Sequence, residues 1–141
     1  MTRILGVDLG TDRTGVAVGS FGVAHPLKVV EANQEEEIVR QLAVIAMEEN
    51  VREIVVGLAT SLDGTEGPAA VRQRAIASQI EAATRLPVHL WDERLTTSEA
   101  EGALIGAGVS RKERRAVIDK VAASILLQAY MDAHAARPEP S

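Results

Sequence analysis

The chain contains no cysteine, which excludes a disulfide framework and any thiolate metal site. Aromatic residues are almost as scarce, one Phe, one Trp and one Tyr, so the core must be built from Val, Ile, Leu and Ala. No apolar run approaches the ~20 residues that span a bilayer. The opening MTRILGVD passes straight into a strand-like run and lacks the apolar stretch of a signal peptide, so no membrane association and a cytoplasmic protein are expected. Basic charge is in the minority too. A net charge of −5 argues weakly against a nucleic-acid binder, which usually shows a basic balance. The positive charge is nevertheless clustered: Arg111, Lys112, Arg114 and Arg115 lie together, while Glu35, Glu36 and Glu37 concentrate negative charge elsewhere. A phosphate backbone stays compatible as a partner.

What is present is enough for one core. The 141 residues predict a single domain over 1–136, with 137–141 (RPEPS) a flexible, frayed tail. Short β-like runs at 3–9, 15–20 and 23–30, joined by turns at Gly10–Thr14 and Phe21-Gly22, predict a three-stranded antiparallel meander. Pro26 lacks a donor, which marks the third strand as an edge or a broken one. A helix follows over 34–50, with Ile38, Leu42, Ile45 and Ala46 at helical spacing. EIVVGL at 53–58 is a continuous apolar strand, covered on both faces. A helix from Pro68 to about Arg85, a strand VHLWDE after Pro87, a helix ending near Gly106–Gly108 and a last helix to roughly Ala136 complete the order. Capping boxes at Thr96/Glu99 or Ser98/Glu101, and at Ser110/Glu113, would start those last two helices. The expected class is α/β: a mixed five-stranded sheet, a meander plus two parallel strands, flanked by helices.

Three acids stand out. Asp8 ends the first apolar run and shares a strand face with Ile4 and Gly6. It could cap the next turn, or it could face a ligand. The turn Gly10–Gly15 lets backbone approach a phosphate, and Arg13 could contact one. At the carboxyl end of a later strand, where ligands of α/β sheets bind, alternation puts His89, Trp91 and Glu93 on one face and Asp92 on the other. Glu93 is favoured over Asp92 as Asp8's companion, against a simple ion pair with Arg94. Asp119 lies in the apolar part of the last helix, in a row with Ala123, Leu126 and Tyr130, beside a second row of Ile118, Ala122, Ile125 and Ala129. Its alternative is a solvated margin position. The polar loop with Asp63, Gly64 and Thr65 could embrace a substrate or form a plain turn. His89 reads as a strand residue facing a helix, and no histidine-based catalytic arrangement is suggested.

The motifs GVDLGTDRTGVAVG, GLATSLDGTEG, WDERLTTSEAE and IDKVAASILLQAYMD, in that order, resemble the YqgF or RuvX family of Holliday junction resolvase-like, pre-16S rRNA nucleases. The likeness runs from about residue 3 to 132, and DERLTT combined with D-K-x-A-A is its specific part. It implies a ribonuclease H-like fold and Asp8, Glu93 and Asp119 as active-site acids. This chain departs from the family pattern at Ala59, where Pro is usual, at Asp12, often basic, and at Gly19-Ser20, where an aspartate commonly ends the second strand.

The resemblance thus implies a hydrolase, a Mg²⁺- or Mn²⁺-dependent nuclease with one or two ions on the three acids. Arg13, Arg94, Arg111, Lys112, Arg114 and Arg115 would hold the phosphate backbone. Expected partners are structured RNA, the precursor of 16S rRNA, and ribosomal particles during ribosome biogenesis, with the protein a monomer or homodimer. One alternative is a resolvase of four-way DNA junctions. Another is a non-catalytic nucleic-acid- or nucleotide-binding module, since Asp8–Thr11 also resembles the first phosphate loop of actin-like ATPases.

Overall fold

Apolar side chains on both faces bury Ile4–Leu9 (β1) at the centre of the sheet, which grows outward from it. Arg13–Ser20 (β2) pairs antiparallel with β1, and Val23–Glu31 (β3) pairs antiparallel with β2. Glu53–Leu58 (β4) lies parallel on the other side of β1, and Val88–Asp92 (β5) lies parallel to β4. The strand order is therefore β3-β2-β1-β4-β5, the expected meander plus two parallel strands. In the computed structural model the described residues are 2–59, 65–92 and 111–135, with 111–119 and 135 described by their backbone.

The start of β2 differs from the sequence expectation. β2 starts at Arg13 rather than Gly15, because its ladder to β3 continues through Arg13 opposite Glu31. The connecting turn shrinks to Gly10–Asp12. At Pro26 the β2–β3 register shifts, which fits a residue that cannot donate to a ladder and confirms β3 as an edge.

One sheet face is covered by Glu35–Glu48 (α1) and Pro68–Thr84 (α2). Leu5, Val7 and Leu9 of β1 meet Ile38, Leu42 and Ile45 of α1 and Ile76 and Ile80 of α2 in the larger core. The other face is covered by Arg111–Ala135 (α3), whose Ala123, Leu126, Leu127 and Tyr130 pack on Ile4, Ala17 and Val55. Of the two apolar rows read in the last helix, the one continuing from Asp119 is the buried one; Ala122, Ile125 and Ala129 are only half-buried. Among the described residues no helix is long and apolar enough to cross a membrane. The helix expected between Thr96 and Gly108, its capping boxes, the cap at Ser110 and the tail lie outside the described residues.

Candidate active site

Asp8 occupies the last position of β1 on the α3 face, and its neighbours on both adjacent strands are glycines. Its partner across β2 is Gly15. Across β4, Val7 pairs with Val56, so the next residue, Gly57, follows beside Asp8. Gly57 in turn pairs with Trp91 of β5. One level of the sheet thus reads Gly15, Asp8, Gly57, Trp91. Both glycines are buried while Asp8 is half-buried. A carboxylate flanked by two residues without side chains offers oxygen donors, the chemistry Mg²⁺ and Mn²⁺ prefer. The position fits a metal.

The lie of α3 decides where Asp119 falls. A Cβ on Gly6 would meet Leu127 Cβ and the Ala123 carbonyl, and a Cβ on Gly19 would meet Met131 Sδ and Leu127. Gly19 pairs with Ile4. Moving along β1 from Ile4 to Gly6 therefore moves backward along α3, from Met131 to Ala123, so helix and strand run antiparallel. Two further strand residues advance ~6.6 Å to Asp8, and one helical turn back from Ala123, ~6 Å, reaches Asp119. The backbone thus carries Asp119 toward the level of Asp8.

Farther along α3 the scarce aromatics gather. Tyr130 stacks on His89, centroids 5.7 Å apart, and meets Trp91 edge-on at 5.8 Å. The His134 ring centroid lies 4.1 Å from that of Tyr130, and its Nδ1–H donates to the Tyr130 carbonyl, 2.7 Å away. His89 does face a helix, as its strand position required. Its Nε2 also sits 3.6 Å from Glu53 Oε2. This cluster ties the outer strand β5, and with it the chain leading to Asp92, onto α3.

The carboxyl ends of β1 and β4 are fixed from the opposite face by α2. Arg72 Nη1 donates to the Gly10 carbonyl at 2.9 Å. Gln73, which is buried, accepts at Oε1 from the Ala59 amide at 2.7 Å. The turn after Asp8 closes with the Gly10 amide donating to the Arg13 carbonyl at 2.8 Å, and the Ala32 amide donates to Asp12 O at 3.1 Å. At Gly10 a Cβ would stand 2.3 Å from the Arg13 carbonyl, so no other residue fits this turn unchanged. Glu66, just before α2, accepts from Arg74 of that helix at both carboxylate oxygens, at 2.6 and 2.7 Å, and those hydrogen bonds hold the Glu66 carboxyl below its ordinary range.

Of the residues singled out from sequence, Asp8 and Arg13 are placed together at one end of β1 and β2. Thr65 is exposed near the start of α2. Asp92, half-buried, ends β5. Arg111, Lys112, Arg114, Arg115 and Asp119 belong to α3, with backbone alone described. Asp63, Gly64, Glu93 and Arg94 lie outside the described residues; Glu93 is the residue that follows Asp92. Among the described residues no three His, Asp or Glu side chains stand together as a metal group. Sequence reading missed Arg72 and Gln73. Gln73 did carry a signal: it falls at the helical spacing of Ala70, Ile76, Ala77 and Ile80, all buried, and a polar residue in such a row is there to satisfy something.

This sheet order, with an acid at the end of the central strand and a helix crossing one face, defines a ribonuclease H-like fold. Solved structures agree. RuvC of T. thermophilus in complex with a Holliday junction substrate superposes with a TM-score of 0.59 over 96% of this chain and 97% of that one at 13% identity. The Holliday junction resolvase of fowlpox virus gives 0.58 over 94% and 99% at 12% identity. The chain belongs to the RuvX family, described as Holliday junction resolvase, whose model matches residues 2–133. Curated relatives bear the name "Putative pre-16S rRNA nuclease": that of Symbiobacterium thermophilum is 43% identical over 99% of this chain and 98% of its own, and that of Geobacillus thermodenitrificans 46% identical over 92% and 97%.

Proposed function

We propose that this protein is a metal-dependent nuclease that trims the 5′ end of precursor 16S rRNA in the cytoplasm, acting as one domain over residues 1–136. The observation that carries the reading is Asp8: a half-buried carboxylate at the carboxyl end of a central strand, between two buried glycines, with α3 running back toward it so that Asp119 approaches its level. The names of the relatives support the substrate. Asp8, Asp119 and Glu93, which follows β5, would hold one or two Mg²⁺ or Mn²⁺ ions. When bound, the metal lowers the pKa of water and neutralises charge developing on the phosphate. Arg13, Arg94 and the cluster Arg111, Lys112, Arg114 and Arg115 grip the phosphate backbone, which gives affinity and register rather than sequence choice. The Asp63–Thr65 loop encloses the substrate strand. Hydrolysis breaks one phosphoester P–O bond, water giving its oxygen to phosphorus and a proton to the leaving oxygen.

The test is labelled precursor 16S rRNA and a synthetic four-way DNA junction, each with Mg²⁺, Mn²⁺ or EDTA, beside Asp8→Asn. Expected are metal-dependent cleavage of the RNA, no cleavage by Asp8→Asn, and an unchanged circular-dichroism spectrum. Full activity in the variant would remove Asp8 from the chemistry. The family description favours a second reading, junction resolution. It requires paired sites in a dimer, so symmetric junction cuts by a dimeric protein would select it.

A further inference from the structure

A charged side chain on α2, outside the three acids and the basic groups, holds the strand end on which the site is built. Arg72 reaches from α2 across the end of the sheet and donates from Nη1 to the Gly10 carbonyl, 2.9 Å away. Gly10 stands two residues after Asp8, separated from it only by Leu9, which is buried in the core. The Gly10 amide is used too, in the bond to the Arg13 carbonyl that closes the turn. Both faces of this glycine are therefore committed, one to the turn and one to α2. Of the ties on the turn that the bonds above describe, two run backbone to backbone and Arg72 supplies the side chain.

The next residue of α2 does the same for the neighbouring strand. Gln73 takes the Ala59 amide, just past the end of β4. One turn of α2 thus pins the carboxyl ends of β1 and β4, the two strands whose Asp8 and Gly57 form the centre of the glycine-flanked row. Arg72 also lines a cavity of about 250 Å³ with Leu9, Gly10, Thr11 and Ala69.

We propose that Arg72 is a positioning residue for the active site: through the Gly10 carbonyl it fixes the end of β1 and so the aim of Asp8 and the start of β2 at Arg13. The inference rests on the nuclease reading of Asp8. A ligating carboxylate must be held to a fraction of an ångström, and misplacement of a reacting group by about 1 Å costs ~100-fold in rate. A backbone hydrogen bond from a half-buried guanidinium is the kind of support that sets such a tolerance without touching substrate.

The experiment compares wild type, Arg72→Ala and Arg72→Lys in amide hydrogen exchange of residues 8–13, in thermal melting, and in steady-state cleavage of precursor 16S rRNA with Mg²⁺. Arg72→Ala should exchange the Gly10 amide faster and lose about 10- to 100-fold in kcat with KM unchanged. Its Tm should stay close to wild type, because Arg72 lies outside the apolar core. Arg72→Lys keeps a donor and should recover most of both effects. Unchanged exchange at Gly10 would overturn the proposal. A raised KM with intact kcat would overturn it as well, making Arg72 a substrate contact. A loss of activity that tracks a fall in Tm and is not rescued by Lys would reduce Arg72 to a general stabiliser. A wild-type protein that cuts nothing would sink the nuclease reading alone, while the exchange data still decide whether Arg72 holds the turn.

Discussion

Gly6 of β1 and Leu127 of α3 approach so closely that a Cβ on the glycine would lie 2.8 Å from the leucine Cβ and 3.2 Å from the Ala123 carbonyl. Main chain of strand and main chain of helix are nearly in contact there. That contact sets the height of α3 over the sheet, and Asp119 lies one turn before Ala123. Gly6 is therefore a spacer for the site as well as for the core.

Gly6→Ala should push α3 away from β1. The added methyl meets a Cβ and a backbone oxygen, neither of which can swing aside, and overpacking of that kind costs ~1–3 kcal/mol. Chemical denaturation should show a loss in that range. Cleavage measured well below the melting temperature should fall further than the unfolded fraction explains, since the helix bearing Asp119 is displaced. An Ala variant as stable and active as wild type would mean that α3 does not rest on Gly6.

The tip of the β2–β3 hairpin is built against its residue type. Phe21, the single Phe, has φ of 54° and is 76% exposed, followed by Gly22 at φ 79°. Two left-handed residues suit a turn that prefers Asn-Gly, and a bulky side chain in that region costs ~1–2 kcal/mol. Gln128 of α3 holds the tip regardless, donating to the Gly22 carbonyl and accepting from the Ala24 amide, each at 2.9 Å. Phe21→Asn should raise stability by about 1 kcal/mol. Gln128→Ala should lower it by a similar amount, since a net hydrogen bond contributes ~1 kcal/mol. Equilibrium unfolding of the two variants checks both signs.

The fold was largely legible, because its causes are local. Glycine-containing turns at Gly10 and Gly22, the apolar run of β4 and the helical spacing of Ile38, Leu42 and Ile45 each announce an element within a dozen residues. Asp8 was legible for the same reason: it is an acid ending an apolar strand. Arg72 was not, since beside Arg74 it reads as surface charge, and its partner is a backbone carbonyl in the turn after β1. Gln73 binds an amide that leaves no trace in sequence. The cluster of His89, Trp91, Tyr130 and His134 needed the register of β5 against α3, a non-local fact. The start of β2 at Arg13 was set by its partner Glu31 across the ladder, not by any propensity of its own.

On α1, Glu37 is the clearest pH reporter. Hydrogen bonds from Arg40 first, and from Gln41, hold its carboxyl at about 2 instead of the ordinary 4.5. A depressed folded-state value stabilises the protein fully above pH 4.5, and the contribution is lost as the pH falls from there toward 2. The pair is exposed, so its effect on stability is screened and small. Carbon-13 titration of Glu37 should give the low midpoint, and Arg40→Ala should return it toward 4.5. A midpoint near 4.5 in the wild type would show that the ion pair does not persist in solution.

Trp91 offers a reading of metal at Asp8 that does not depend on cleavage. It is the only Trp, and its strand stands two ladders from β1, with Gly57 between, which places its backbone ~10 Å from that of Asp8. Paramagnetic Mn²⁺ quenches tryptophan emission at such range, and the intervening glycine leaves no side chain in the way. Mn²⁺ should therefore quench the emission saturably, excess Mg²⁺ should reverse it, and Asp8→Asn should weaken the apparent affinity at least ~10-fold, as loss of a charged ligand from a hard-cation site does. Equal quenching in wild type and variant would place the ion elsewhere, and the metal would have to leave the description of Asp8.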